Sequence, residues 1–264
     1  CEFLAEKDVL RKVGPGVFQK PAQFSSRQGP IPFLLAYKSV WESLAELMAG
    51  LKIYGQDVVR DARYLGTGTK LIFPMLAELF KERGIKNILD LGCGNGTFLL
   101  ILASLLPDFK GIGVEIDMPT VKEAEKAIHA SGYPNSIRVI CADVRRPETF
   151  SKEANSAEAI VGIGIFHEFR KDGSLIPLLN SYKKQFPKSR LFFVEFETPE
   201  WDELRKRPHS PERKSSATYR LIHYFSEQGL PQSKDDWIKT LRATKWQVIG
   251  VHEGPNRLIA FEFL

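Results

Sequence analysis

Two groups of polar residues in this sequence directly follow short apolar runs, and both contain residue types that bind ligands or move protons. The first group begins with Asp90 and continues with glycines at alternate positions, Gly92, Gly94 and Gly96. Glycines so spaced allow a tight turn and let the backbone come close to a ligand. The spacing differs from the Gly-x-Gly-x-x-Gly fingerprint that cradles a pyrophosphate. The acid before the glycines favours an ammonium group over a diphosphate.

A second acid, Glu115, ends the next apolar run along the chain. A carboxylate at the end of a second strand suits hydrogen bonds to two ribose hydroxyls. An amino acid joined to a nucleoside without phosphate describes S-adenosylmethionine (SAM). The run Asp-Leu-Gly-Cys-Gly-Asn-Gly, residues 90–96, resembles motif I of the class I SAM-dependent methyltransferases, and the resemblance covers roughly residues 84–264.

The resemblance implies where the cofactor binds. Asp143 follows the third apolar run and, by similarity to the family, should accept a hydrogen bond from the adenine amino group. We therefore expect one set of cofactor-binding residues at neighbouring strand ends: Asp90, Gly92, Gly94, Glu115, Ile116, Asp143 and Val144.

The second polar group is His167 and Glu168, which follow the apolar run 159–166. A histidine has the pKa range of a general base near neutral pH. In the small-molecule O-methyltransferases that the sequence resembles, a His-Asp pair occupies this place and the histidine takes the proton from the acceptor hydroxyl. We also expect either Glu195 or Glu197 to face the pocket and orient His167.

A second histidine, His223, lies in a later apolar stretch. A minority group of related enzymes, the C-methyltransferases of 2-oxo acids such as phenylpyruvate and 2-ketoarginine, also has a histidine there. His167, Glu168 and His223 resemble in order and approximate spacing the set that holds a metal in the phenylpyruvate enzymes. Two imidazoles and one carboxylate leave positions open for a chelating substrate, and the metal, divalent or ferric, would stabilise its enolate. Arg60 and Arg63 are candidates to clamp the carboxylate of an anionic substrate.

Three functions therefore remain open. The first is metal-assisted C-methylation of a 2-oxo acid, with His167, Glu168, His223 and Arg60 as catalytic residues. The alternative is metal-free O-methylation of a small hydroxylated metabolite, with His167 as general base. The third is a SAM-binding interaction module that has lost catalysis.

Composition limits the partners and the compartment. The net charge is +5 and the sequence pI is near 9.0, but the basic residues are scattered, which argues against nucleic acid. There are three cysteines without a Cys-x-x-Cys pair and no long apolar span, so we expect a reduced, cytoplasmic protein away from membranes. The sequence begins with Cys1, so we expect a fragment of a longer chain. The resemblance also implies a homodimer.

The pattern of apolar runs supplies the elements that hold these residues. Strand-like and helix-like segments alternate from residue 85 and end in two strands, which predicts an α/β, Rossmann-like, seven-stranded and mostly parallel sheet with an antiparallel C-terminal hairpin. Helical periodicity before it predicts an N-terminal helical cap over residues 1–83, followed by the SAM-binding domain over residues 84–264. Ligands in such sheets bind outside the carboxyl ends of the strands.

Overall fold

A computed structural model of the chain describes residues 11–15, 17–19, 31–61, 64, 69–199, 202–203, 206, 211–226 and 228–264. Arg63, a predicted carboxylate clamp, and Cys1 lie outside these residues.

A seven-stranded sheet forms the centre of the fold, in the order β5-β4-β3-β6-β7-β9-β8. The strands are β3 (Asn87–Leu91), β4 (Lys110–Glu115), β5 (Ile137–Cys141), β6 (Ala159–Ile163), β7 (Arg190–Phe196), β8 (Val248–Glu253) and β9 (Leu258–Phe263). Strands β3 to β7 pair in parallel, whereas β9 runs antiparallel to both β7 and β8. The predicted fold class is confirmed.

Helices cover both faces of this sheet. On one face lie α4 (Phe73–Glu82), α5 (Thr97–Leu105) and α6 (Met118–Ala130). On the other face lie α7 (Leu175–Gln185) and α9 (Lys234–Leu241), with Trp237 fully buried. Parallel strands buried on both faces read as continuous apolar runs, as Ala159–Ile163 does.

The segment before the sheet is helical but broken into short pieces. A two-stranded hairpin, β1 (Arg11–Gly14) and β2 (Val17–Gln19), comes first, and the sequence analysis did not predict it. Three short helices follow, α1 (Ile31–Ala36), α2 (Lys38–Glu42) and α3 (Leu44–Met48). The domain boundary at residue 84 stays a prediction, although α4, just before it, packs into the core beneath the sheet.

The N-terminal helices pack against α8 (Pro211–Phe225), which follows β7 along the chain. Their shared apolar cluster contains Tyr37, which lies between α1 and α2, Val40 from α2 and Ile222 from α8. This packing brings residues near both ends of the chain to the same side of the sheet.

Strand β6 ends earlier than predicted, at Ile163 rather than Phe166. Gly164 has a φ of 68°, a left-handed conformation that ends the extended run. A 3₁₀ turn, Phe166–Phe169, follows and carries His167 and Glu168. Among the described residues, no helix is long and apolar enough to span a bilayer.

Candidate active site

The carboxyl ends of the parallel strands form two neighbouring regions. We call the ends of β3, β4 and β5 the cofactor edge, and the ends of β6 and β7 together with α8 the acceptor edge. At the cofactor edge, Gly92 and Gly94 both have positive φ, 67° and 53°, which only glycine adopts easily. A Cβ at Gly94 would meet nothing within 4 Å, so open space lies beside the turn.

Asp90 is a buried acid without a partner at this edge. Its residue is only 3% exposed, and its carboxylate makes no hydrogen bond with the described residues. Burial, with the nearby Glu115 adding to it, raises the pKa of Asp90 well above its ordinary value. A cationic ligand beside the turn would satisfy this carboxylate, so the side chain fits a SAM site.

Glu115 already accepts three backbone hydrogen bonds. Its Oε2 accepts from the amide of Gly94 at 3.1 Å, and its Oε1 accepts from the amides of Ile116 at 2.8 Å and Asp117 at 3.1 Å. A carboxylate offers about four lone-pair sites. Glu115 therefore has little acceptor capacity left for the predicted bidentate contact with ribose. These bonds also tie the Gly turn to the end of β4.

Asp143 is engaged by a neighbour that the sequence analysis did not consider. Arg145 donates to both of its carboxylate oxygens, with Nη2 to Oδ2 at 2.6 Å and Nε to Oδ1 at 3.0 Å. The Arg145 side chain is 59% exposed, and such ion pairs exchange at little cost. The predicted contact of Asp143 with adenine requires that exchange. Val144 contributes its carbonyl to Tyr182 Oη, at 2.7 Å.

At the acceptor edge, His167 and Glu195 form a buried pair. The Nδ1 of His167 lies 2.9 Å from Glu195 Oε2, and Glu195 Oε1 also accepts from the backbone amides of Phe166 at 2.7 Å and His167 at 3.0 Å. Glu195 is fully buried. Burial alone would lower the pKa of His167, but the Glu195 carboxylate outweighs it and raises that pKa above its ordinary value.

The other ring nitrogen of His167 has no partner. Nε2 is buried and makes no hydrogen bond to any described residue. A neutral histidine whose Nδ1–H donates to a carboxylate carries its lone pair on Nε2. The arrangement can therefore take a proton from a ligand. Glu197, the other candidate to orient this base, instead accepts from Arg257 Nη2 at 3.1 Å.

His223 lies next to His167, with 5.0 Å between the ring centroids. Its Nδ1–H donates to the Tyr219 carbonyl at 2.7 Å, so its Nε2 also carries a lone pair. Burial, with His167 adding to it, lowers the pKa of His223 well below its ordinary value. The side chain is therefore a neutral imidazole.

The predicted metal set is not assembled. The Oε1 of Glu168 accepts from Arg60 Nη2 at 2.9 Å, whereas the two imidazoles pair with Glu195 and Tyr219. Among the described residues, no three His, Cys, Asp or Glu side chains are grouped so that they hold a metal ion. The same ion pair engages the Arg60 guanidinium. The predicted contact of Arg60 with a substrate carboxylate stays a prediction.

Sequence reasoning missed Gly229. It has a φ of 80°, and a Cβ there would overlap the carbonyl oxygen of His167. Its position in the sequence Gly-Leu-Pro signals a turn but not this contact. Nearby, Gln228 uses both ends of its amide, accepting from Tyr37 Oη at 2.9 Å and donating to Tyr54 Oη at 2.7 Å.

Comparison with known proteins agrees with this geometry. Residues 88–207 match a family described as a methyltransferase domain. This match covers less than half of the chain and supports the predicted methyltransferase domain. The enzyme class predicted from the sequence is confirmed at the level of this domain.

Two solved structures share the fold of this methyltransferase domain and of the segment before it. The mitomycin 7-O-methyltransferase MmcR has a TM-score of 0.74 at 16% identity, over 99% of this chain and 81% of that chain. PigF, solved with SAH, has a TM-score of 0.73 at 14% identity, over 99% of this chain and 83% of that chain.

A curated relative matches a shorter stretch. The tRNA1(Val) (adenine(37)-N6)-methyltransferase of Tolumonas auensis is 45% identical over 87 residues, which are 33% of this chain and 36% of that protein. The chain thus matches about a third of the length of this curated relative. The match supports a shared methyltransferase core.

Proposed function

We propose that the protein is a SAM-dependent O-methyltransferase of a small hydroxylated molecule, with His167 as general base. The observation that carries this proposal is the buried His167–Glu195 pair. It leaves one imidazole nitrogen, Nε2, as an unpartnered acceptor at the strand ends. A neutral imidazole with a free lone pair can take the proton from an acceptor hydroxyl while that hydroxyl is methylated.

The residues of the chain divide this work. Glu195 accepts the Nδ1–H of His167, which fixes the tautomer and stabilises the imidazolium that forms. His167 Nε2 takes the acceptor proton. Bound at the cofactor edge, SAM would supply an electrophilic methyl group for the deprotonated oxygen. S-adenosylhomocysteine would be the other product. The apolar cluster that contains Tyr37, Val40 and Ile222 includes a neighbour of the His223 ring, Tyr37, and we expect it to limit the access of water from that side.

The small-molecule class is supported by the fold neighbours, since the name of MmcR gives the 7-O-methylation of mitomycin. The predicted anionic substrate has less support, because Arg60 is neutralised by Glu168. The predicted homodimer stays a proposal.

Metal-assisted C-methylation of a 2-oxo acid remains the second candidate. Each imidazole of His167 and His223 donates its Nδ1–H to an oxygen, which is the usual arrangement of metal-ligating histidines. The third predicted ligand does not fit, because the Glu168 carboxylate is bonded to Arg60. We derive no step through a metal for this reason.

The proposal is tested with His167→Ala, assayed by release of S-adenosylhomocysteine with a panel of small phenols and alcohols. We expect the rate to fall by about 10²–10⁴-fold, while SAM affinity measured by calorimetry stays unchanged. The matched control is His129→Ala, because His129 is an exposed histidine near the end of α6. Unchanged turnover in His167→Ala would contradict the assignment of the base.

A further inference from the structure

The second imidazole at the acceptor edge has no role in the proton transfer described above. His223 is buried, its Nδ1–H is used by the Tyr219 carbonyl, and its Nε2 makes no hydrogen bond to the described residues. This nitrogen carries a lone pair without a partner among the described residues, so it is open to a ligand at the acceptor edge. Since the imidazole is neutral, a hydrogen-bond donor can engage this lone pair.

Other polar side chains around His223 are already engaged. Tyr37 and Tyr54 are held by the Gln228 amide, and Arg60 is held by Glu168. The two imidazole Nε2 atoms make no hydrogen bond with the described residues, so each can accept one from a ligand.

The two rings are close enough to act on one molecule. Their centroids are 5.0 Å apart, in an edge-to-face arrangement. A hydrogen bond to a ring nitrogen spans about 2.7–3.2 Å between heavy atoms, so two donors on neighbouring carbons can each engage one ring. A molecule with a single hydroxyl satisfies only one ring.

We propose that His167 and His223 form a paired-acceptor site that selects an acceptor molecule with two neighbouring hydrogen-bond donors. His167 takes the proton of the hydroxyl that is methylated. His223 accepts a hydrogen bond from a second hydroxyl or amine beside it, and so acts as a specificity residue. This inference rests on the proposed O-methylation. It narrows the substrate class to adjacent diols and amino alcohols, including those in which both groups are on an aromatic ring.

The test compares 1,2-dihydroxybenzene with phenol as methyl acceptors, using radiolabelled SAM. The wild-type protein should show kcat/KM at least about tenfold higher for the adjacent diol. His223→Phe should bring the ratio close to one by lowering the rate with the diol alone. His223→Gln, which restores a side-chain acceptor, should recover part of the preference. SAM affinity measured on each variant checks that the variant is folded.

Three results would overturn the inference. A ratio that is the same in the wild-type protein and in His223→Phe would exclude a role for His223 in selection. Loss of the preference after treatment with a chelator would assign the two imidazoles to a metal instead. No transfer to either acceptor, with SAM binding intact, would overturn this inference together with the proposed function, whereas equal transfer to both would leave the proposed function standing.

Discussion

Asp90 and Glu195 are both buried carboxylates at the same side of one sheet, but their surroundings are opposite. Glu195, at the acceptor edge, is satisfied by the His167 ring and by two backbone amides. Asp90, at the cofactor edge, has no partner among the described residues. The histidine and the carboxylate of the acceptor edge are therefore paired without a ligand, whereas the cofactor edge contains a carboxylate that a cationic ligand would satisfy. Substitutions at the two edges should consequently separate turnover from cofactor affinity.

The largest difference between turnover and SAM affinity is expected from Glu195→Gln. Loss of the carboxylate removes the charge that orients and stabilises His167, so kcat should fall by about 10³-fold, with SAM affinity unchanged. Glu197→Gln is the matched control, since that side chain bonds Arg257 instead. Equal losses in both variants would remove the distinction between the two acids.

The same variant also gives a pH test. In the wild-type protein the pKa of His167 is raised, and catalysis needs its neutral form. The rate should therefore rise with pH through a value above the ordinary histidine range. In Glu195→Gln the remaining rate should rise at lower pH, because burial then acts on the imidazole without the opposing carboxylate. Profiles of kcat/KM against pH check the direction of this shift.

Gly229→Ala is expected to have the next largest effect. The new methyl group would overlap the His167 carbonyl and displace the base, at a cost of about 10²-fold in kcat. Gly132→Ala is the control, because Gly132 has nearly the same φ, 81°, with nothing within 4 Å of a Cβ. That control measures the backbone strain alone. If both variants lose the same activity, contact with His167 is not what requires glycine.

Asp90→Asn should instead weaken SAM binding, by about tenfold or more, because a charge-assisted contact is lost. The raised pKa of Asp90 adds a pH dependence. A cation binds the ionised acid, so the affinity of the wild-type protein for SAM should increase with pH, and that of the variant should not. Calorimetric titrations at several pH values measure both effects. Asp108→Asn is the control, since its side chain is 82% exposed; a pH-independent affinity in the wild-type protein would refute the role of Asp90.

The smallest effect is expected from Glu168→Gln. Its bond with Arg60 joins two partly exposed side chains, and such ion pairs contribute about 0–1 kcal/mol. We expect the rate of methyl transfer to change by no more than about fivefold. Complete loss of activity, restored by added metal, would revive the three-ligand metal site and contradict the O-methylation proposal.

The cofactor edge was predictable because it is encoded locally. The run from Asp90 to Gly96 contains an acid and the glycine turn that follows it within seven consecutive positions. The alternation of apolar segments places Glu115 at the end of the neighbouring strand. The sheet followed from the same local patterns. The broken helices α1 to α3 did not, since the apolar spacing alone did not reveal the interruptions at Tyr37 and Ser43.

The acceptor edge was only partly predictable, because its contacts join distant parts of the chain. Glu195 and Glu197 lie two positions apart, so alternation along a strand gives both the same side. The choice between them depends on Arg257, which binds Glu197 after β7 has ended. Likewise, the pairing of Arg60 with Glu168 spans 108 positions. No local pattern in the sequence encodes that contact.

The side-chain amide of Gln228 hydrogen-bonds two tyrosines from the N-terminal part of the chain. Its oxygen accepts from Tyr37 and its nitrogen donates to Tyr54. Replacing any one member of this trio removes a hydrogen bond from another. A change in the width of the site at this point therefore requires several substitutions together, so we expect these three residues to change slowly in evolution.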